Sequence, residues 1–171
     1  MLCFAYGSNM STQRLAARIP ARFVTTALLS SCRLVFHQPS GDGSGKCDIV
    51  PASDQSAVYG VIWEVASHHE PTLDRYEGLG VAYGETWLTV TDLAIERQFD
   101  VQAYAGNVTS PGIRPYTWYK HHVLAGAREH GLPASHIHTL ERIGAHQDFD
   151  AERPALEMAL HGHAEPLVRS A

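Results

Sequence analysis

The amino-acid sequence predicts an α+β fold: a small, mainly antiparallel β-barrel with flanking helices. Three observations carry this prediction. Strand patterns fill most of the chain up to Tyr104, helical spacing takes over only after Pro111, and no internal repeat or linker divides the 171 residues. A chain of this length makes one domain with a real core, so residues 1–171 read as a single domain, with the tail from about residue 150 unassigned. Short antiparallel strands leave edges that must be hidden, and closing the sheet removes them.

In chain order, Met1 to Tyr6 is apolar and aromatic and breaks at Gly7-Ser8-Asn9, as a buried strand ending in a tight turn does. Ser11 is an N-cap for a short helix, Thr12 to Arg18, which must stop before Pro20. Phe23 to Leu29 and Cys32 to Phe36 carry apolar and β-branched residues at strand spacing. Pro39 to Lys46 (PSGDGSGK) has the composition of a mobile loop. Ala57 to Val65 (AVYGVIWEV) is the strongest strand signal. Ser67 or His68 opens a helical stretch through Leu73 and Tyr76, closed by Gly78. Glu85 to Leu93 and Phe99 to Tyr104 alternate around a loop at Ala94 to Gln98 and read as antiparallel strands. Past Pro111, Tyr116, Tyr119, Val123 and Ala127 recur at helical spacing, and Gly131 and Pro133 end that helix. A second short helix runs from about Ala134 to Ile143, and the tail beyond Phe149 offers a turn or two around Ala155 to Leu160.

Composition excludes several function classes. A net charge of −5 with no basic stripe argues against a nucleic-acid partner. The longest apolar runs, such as Val61-Ile62-Trp63, fall far short of a membrane span, and no basic-then-apolar leader is visible at the N-terminus. Cys3, Cys32 and Cys47 are an odd number without CxxC spacing, which predicts reduced thiols in a cytoplasmic protein.

The cofactor motifs fail one by one. Ser40 to Cys47 imitates a phosphate loop but has Ser40 for its first glycine and Cys47 for its final hydroxyl residue. Gly78-Leu79-Gly80-Val81-Ala82-Tyr83 stops one glycine short of a dinucleotide fingerprint. Ser8 lacks the flanking glycines of a nucleophile elbow, and Cys3 sits in a buried strand where thiols are inert. The 11 histidines raise a metal question. His136-x-His138 and His161-x-His163 fall in helix or tail, where residues two apart diverge, so exposed titrating histidines are the favoured reading and no metal or other cofactor is expected.

Two features remain. In Tyr6-Gly7-Ser8-Asn9, glycine and asparagine tolerate left-handed backbone angles, so consecutive amides could converge into an anion-binding nest; an ordinary turn fits equally well. Glu77, in Leu73-Asp74-Arg75-Tyr76-Glu77-Gly78, ends a helical turn beside Tyr76. A carboxylate among aromatic neighbours can serve as acid and base in turn, whereas a solvated helix-end glutamate would be inert.

Taken together, these segments resemble the γ-glutamylcyclotransferase family: Phe4-Ala5-Tyr6-Gly7-Ser8-Asn9-Met10, then Val58-Tyr59-Gly60-Val61-Ile62-Trp63, Leu73 to Gly78, Ala103-Tyr104, and Tyr119-Lys120 through Gly126-Ala127-Arg128-Glu129-His130-Gly131-Leu132-Pro133. The match runs from the N-terminus to about Ile143. The resemblance implies a small barrel with flanking helices and a cofactor-independent cyclisation of a γ-glutamyl group to 5-oxoproline, which releases the attached amine. It implies Glu77 as the acid–base catalyst and Tyr6, Gly7, Ser8, Asn9 and Met10 as the γ-glutamyl pocket, with Tyr83, Tyr104 and Tyr119 lining the same cavity. Met10 stands where the family has leucine, a volume-conserving change.

The partner so implied is a small γ-glutamyl molecule, and a homodimer is left open. Amino-acid, ε-lysyl, antibiotic-amine and glutathione leaving groups all remain candidates, as does a non-catalytic binding relative. The Gly41 to Lys46 segment and the tail have no match and are expected to shape the side facing the leaving amine.

Overall fold

The structure is a computed structural model, and it describes residues 1–53 and 55–162. Five strands close into a barrel in the order β1 (Leu2–Ala5), β5 (Ala57–Glu64), β2 (Arg22–Ser30), β6 (Tyr83–Asp92) and β7 (Gln98–Gly106). All neighbours are antiparallel except at the seam, where β7 meets β1 in parallel through Cys3 and Gln102. β5 pairs on both edges, Ala5 with Val61 on one side and Thr26 with Val61 on the other. Its Val58, Val61, Ile62 and Trp63 are all buried, which accounts for the unbroken apolar run. β6 instead keeps one wet face, exposing Glu85, Trp87 and Thr89, so its residues alternate.

A separate hairpin, β3 (Cys32–Pro39) with β4 (Gly45–Pro51), replaces the expected mobile loop at Pro39 to Lys46. Asp42 Oδ1 accepts from both the backbone N and the Oγ of Ser44 at 2.9 Å, so the glycines form a tight, internally bonded turn. The polar Lys46 and Asp48 of β4 interrupt any apolar pattern; Lys46 is held locally by Asp42 and Ser44, while Asp48 is partnered across the fold. Gly106 N, for instance, donates to Asp48 Oδ1 at 2.8 Å.

Five helices surround the barrel: α1 (Thr12–Ala16), α2 (Glu70–Glu77), α3 (Thr117–Glu129), α4 (Ala134–Arg142) and α5 (Arg153–Ala159). Ser11 caps α1 by accepting from Arg14 N, and α1 stops two residues short of the expected Arg18. α2 ends on Gly78, whose φ of +65° lets Leu79 N reach back to Asp74 O at 2.9 Å. At its other end Glu70 lies 3.5 Å from the Met1 ammonium. α3 lies so close to the Ser8–Met10 turn that a Cβ on Gly126 would come within 2.4 Å of the Met10 carbonyl carbon. None of the helices among the described residues is long and apolar enough to cross a membrane.

Candidate active site

β1 delivers the chain into a single 3-10 turn, Ser8–Met10, at the end of the barrel. Met10 N and Ser11 N close that turn onto Gly7 O and Ser8 O, while the amides of Gly7, Ser8 and Asn9 donate to no acceptor among the described residues. The expected left-handed angles are corrected: Gly7 has φ −120° and ψ −143°, and neither it nor Asn9 has positive φ. Glycine is required at position 7 for room instead, because a Cβ there would lie 3.1 Å from both Cys47 Cβ and the Tyr119 hydroxyl. Trp63 Nε1 donates to Asn9 O at 3.0 Å and fixes the turn from the barrel side.

The turn forms one wall of a cleft that holds about 520 Å3 of open space, mouth included. Tyr6, Gly7, Ser8, Asn9, Glu77, Tyr83, Tyr104 and Tyr119 all line it, so eight of the nine expected site residues meet in one place. Met10 does not: it is fully buried behind the turn, beneath Gly126. The tyrosine hydroxyls are largely engaged with the protein itself. Tyr6 donates to Tyr104 O, Tyr83 to Cys47 O at 2.9 Å, and Tyr104 to Asp74 Oδ1 at 2.6 Å, while Tyr119 accepts from Cys47 N at 3.1 Å. They present ring faces and edges to the cleft. Burial pushes the Tyr6 and Tyr119 phenols well above their ordinary range and the thiols of Cys3 and Cys47, which also line the cleft, up to about 12. All four stay protonated at neutral pH, and the thiols are poor nucleophiles.

Glu77 stands at the rim, its side chain 16% exposed. Its aromatic neighbours do not include Tyr76, which turns outward and is 54% exposed; Tyr6, Tyr83, Tyr104 and Tyr119 share its cleft instead. Oε1 accepts from Asn9 Nδ2 at 2.7 Å and from Arg18 Nη1 at 2.9 Å. Arg18 Nη1 also reaches Asn9 Oδ1 at 3.0 Å, which completes a triangle. Oε2 takes no hydrogen bond among the described residues. Burial lowers Arg18 from its usual value, and the Glu77 charge opposes that shift.

Sequence reasoning missed Arg18, Asp74 and Cys47. The signals were present. Arg14 and Arg18 share a face at i,i+4 spacing, and Asp74 stands one helical turn before Glu77. The histidine reading is corrected in part: His138 is exposed, but His136 and His122 are buried, and His122 Nδ1 is 2.7 Å from His161 Nε2. His163 lies outside the described residues. No group of three or more histidine, cysteine or carboxylate side chains is arranged to hold a metal among the described residues.

A closed five-stranded barrel carrying a carboxylate over a glycine-turn cleft defines a class of small α+β proteins, and residues 57–140 match the model of one of them, the AIG2-like family. Among curated proteins the chain is similar to γ-glutamylcyclotransferase of Bos taurus and of Homo sapiens. Each is 30% identical over 148 residues, covering 83% of this chain and 78% of the relative. A solved γ-glutamyl cyclotransferase structure superposes with a TM-score of 0.81 at 25% identity, covering 92% of this chain and 98% of that one. The chain belongs to the γ-glutamylcyclotransferase family, a family of enzymes.

Proposed function

We propose that the protein is a γ-glutamylcyclotransferase: it converts a γ-glutamyl amide to 5-oxoproline and releases the amine. One observation carries the reading, the meeting of Glu77 with the Tyr6 to Asn9 turn across 68 residues of sequence, through the 2.7 Å Asn9–Glu77 hydrogen bond. The reaction is an intramolecular attack of the substrate's α-nitrogen on its own γ-carbonyl carbon. Proximity already favours the five-membered ring, so the enzyme must hold the productive rotamer and move protons.

Of the three protons on the substrate's ammonium, one remains on the lactam nitrogen and two end on the departing amine. The free Oε2 of Glu77 takes one proton from the ammonium, which frees the α-nitrogen to attack, and delivers it to the leaving nitrogen. After the new C–N bond forms, the same oxygen relays a second proton from the ring nitrogen, so that the amine departs as an ammonium when the other C–N bond breaks. The unpaired amides of Gly7, Ser8 and Asn9 suit the substrate carboxylate or the developing oxyanion. Cys3 and Cys47, held as thiols by burial, are poorly suited to covalent catalysis. The three cysteines are free, which fits residence in a reducing compartment such as the cytoplasm.

The test is Glu77→Gln, which keeps size and hydrogen bonding and removes the proton carrier. Release of 5-oxoproline from γ-glutamyl-alanine, followed by mass spectrometry, should fall by about 10³-fold or more. The circular dichroism spectrum should stay unchanged. Near-full turnover would sink the assignment of Glu77.

A further inference from the structure

Beyond Glu77 the inner cleft opens into a second, wider one, and Ser8, Glu77, Tyr83 and Tyr119 belong to both. On the cyclotransferase reading, this outer cleft is the side toward which an amine released at Glu77 would depart. Its wall carries five basic and three acidic side chains. The acids are already spent. Glu77 accepts from Arg18 and Asn9, Glu157 from Arg14 and His122, and Asp42 from Lys46 and Ser44. Arg75 pairs with no carboxylate among the described residues.

Lys46 holds the decisive place. Its side chain is 13% exposed, and Nζ donates to Asp42 Oδ2 at 2.6 Å and to Ser44 Oγ at 2.7 Å, which leaves one N–H for another acceptor. The ammonium lies 4.6 Å from the ring centroid of Trp118 and 4.7 Å from that of Tyr119, with Tyr116 at 5.9 Å. Its chain neighbour Cys47 lines the inner cleft, so Lys46 stands one residue outside the wall that faces Glu77. Aromatic faces together with a carboxylate are what a protein uses to capture an alkylammonium ligand. Here the chain's own lysine fills that cage. A second cation arriving with the substrate would meet a like charge in a partly dry cleft, whereas an anion would find an ammonium with a free donor.

We propose that Lys46 is the specificity-determining residue of the outer cleft. It selects γ-glutamyl conjugates whose leaving amine carries a carboxylate and rejects those whose leaving amine carries a second positive charge. This rests on the cyclotransferase reading and narrows it. The lysine belongs to the segment that had no counterpart in the sequence comparison of motifs, and its charge gives that segment a task.

Three conjugates of equal chain length test the inference: γ-glutamyl-γ-aminobutyrate, γ-glutamyl-butylamine and γ-glutamyl-putrescine, each followed by 5-oxoproline release. The wild type should turn them over in that order, with kcat/KM for the first and last differing by about 30-fold or more. Lys46→Gln should shrink that ratio to about fivefold or less, chiefly through KM, while Lys46→Arg keeps most of it. Should Lys46→Gln fail to fold, the wild-type ratio in about 0.5 M salt decides, because screening should reduce it several-fold. A ratio unmoved by both the substitution and salt, or a wild-type preference for the diamine, overturns the inference while leaving the cyclotransferase reading intact. No 5-oxoproline from any of the three by the wild type overturns that reading and this one with it.

Discussion

Arg18 Nη1 lies 2.9 Å from Glu77 Oε1, and the same nitrogen donates to Asn9 Oδ1, so one guanidinium fixes both halves of the site. With Oε1 pinned, the carboxylate plane is set and Oε2 is aimed without help from the substrate. Arg18→Leu should therefore lower kcat for 5-oxoproline release by about 10²-fold while KM shifts far less, the pattern expected of lost alignment. Arg18→Lys should recover part of the loss. In a double-mutant cycle with Asn9→Ala the two effects should be strongly non-additive. Additive losses, or a loss confined to KM, would assign Arg18 to substrate binding instead.

Tyr104 is a gentler case. Its hydroxyl donates to Asp74 Oδ1 at 2.6 Å on the helix that carries Glu77, and its ring lines the cleft. Tyr104→Phe keeps the ring and deletes the donor, so turnover should fall by less than about tenfold and stability by about 1–2 kcal/mol in urea denaturation. A hundredfold loss of kcat would mean that the hydroxyl takes part in proton transfer.

Gly126→Ala probes the packing behind the site. The new methyl would come within 2.4 Å of the Met10 carbonyl carbon, which is backbone and cannot rotate away. Stability should fall by about 1–3 kcal/mol. Activity measured well below the melting temperature should fall too, because the displaced turn carries the Gly7 to Asn9 amides. A variant as stable as the wild type would mean that α3 can shift freely.

Mild acid should loosen the fold through a buried histidine. His136 is 7% exposed, and burial lowers its pKa from 6.5 to about 4. The unfolded chain therefore binds the proton first, so this contribution to stability is full above pH 6.5 and is lost as pH falls toward 4. Glu157, held down from 4.5 to about 2 by His122 and Arg14 against its own burial, adds a contribution that is full above pH 4.5 and is lost as pH falls toward 2. Urea midpoints should drop between pH 7 and pH 4, and His136→Phe should flatten part of that slope. An unchanged slope would locate the acid sensitivity in the other buried histidines.

Much of the barrel was legible because burial follows strand position: the apolar run of β5 and the alternation of β6 follow from side chains facing in or out, whereas β7 buries four residues in a row, Val101 to Tyr104. β4 escaped because Asp48 satisfies its polarity far away in the fold, and a glycine-rich turn looks the same whether it wanders or is bonded through Asp42 to Ser44 and Lys46. In the site, the turn and Glu77 could be named from motif spacing. Their linkage could not, because the direct Asn9–Glu77 bond is braced by Arg18, whose role depends on where α1 stops, and helix ends are poorly fixed by local sequence. Tyr76 drops out of the aromatic setting of Glu77 for a related reason: it adjoins Glu77 in sequence, but neighbours on a helix point about 100° apart, and the tyrosines of the cleft come from elsewhere in the chain.

α2 starts beside the Met1 ammonium and ends beside Asn9, the two ends of the segment that β1 spans. Its eight residues rise about 12 Å between those two contacts. The helix is thus a spacer, and its tip marks where the carboxylate must stop. One residue added to it would carry Glu77 about 1.5 Å past Asn9 and swing it through about 100°. The walls of the cleft can be redecorated for new amines by substitution, but the count of residues from Glu70 to Glu77 is a dimension of the enzyme.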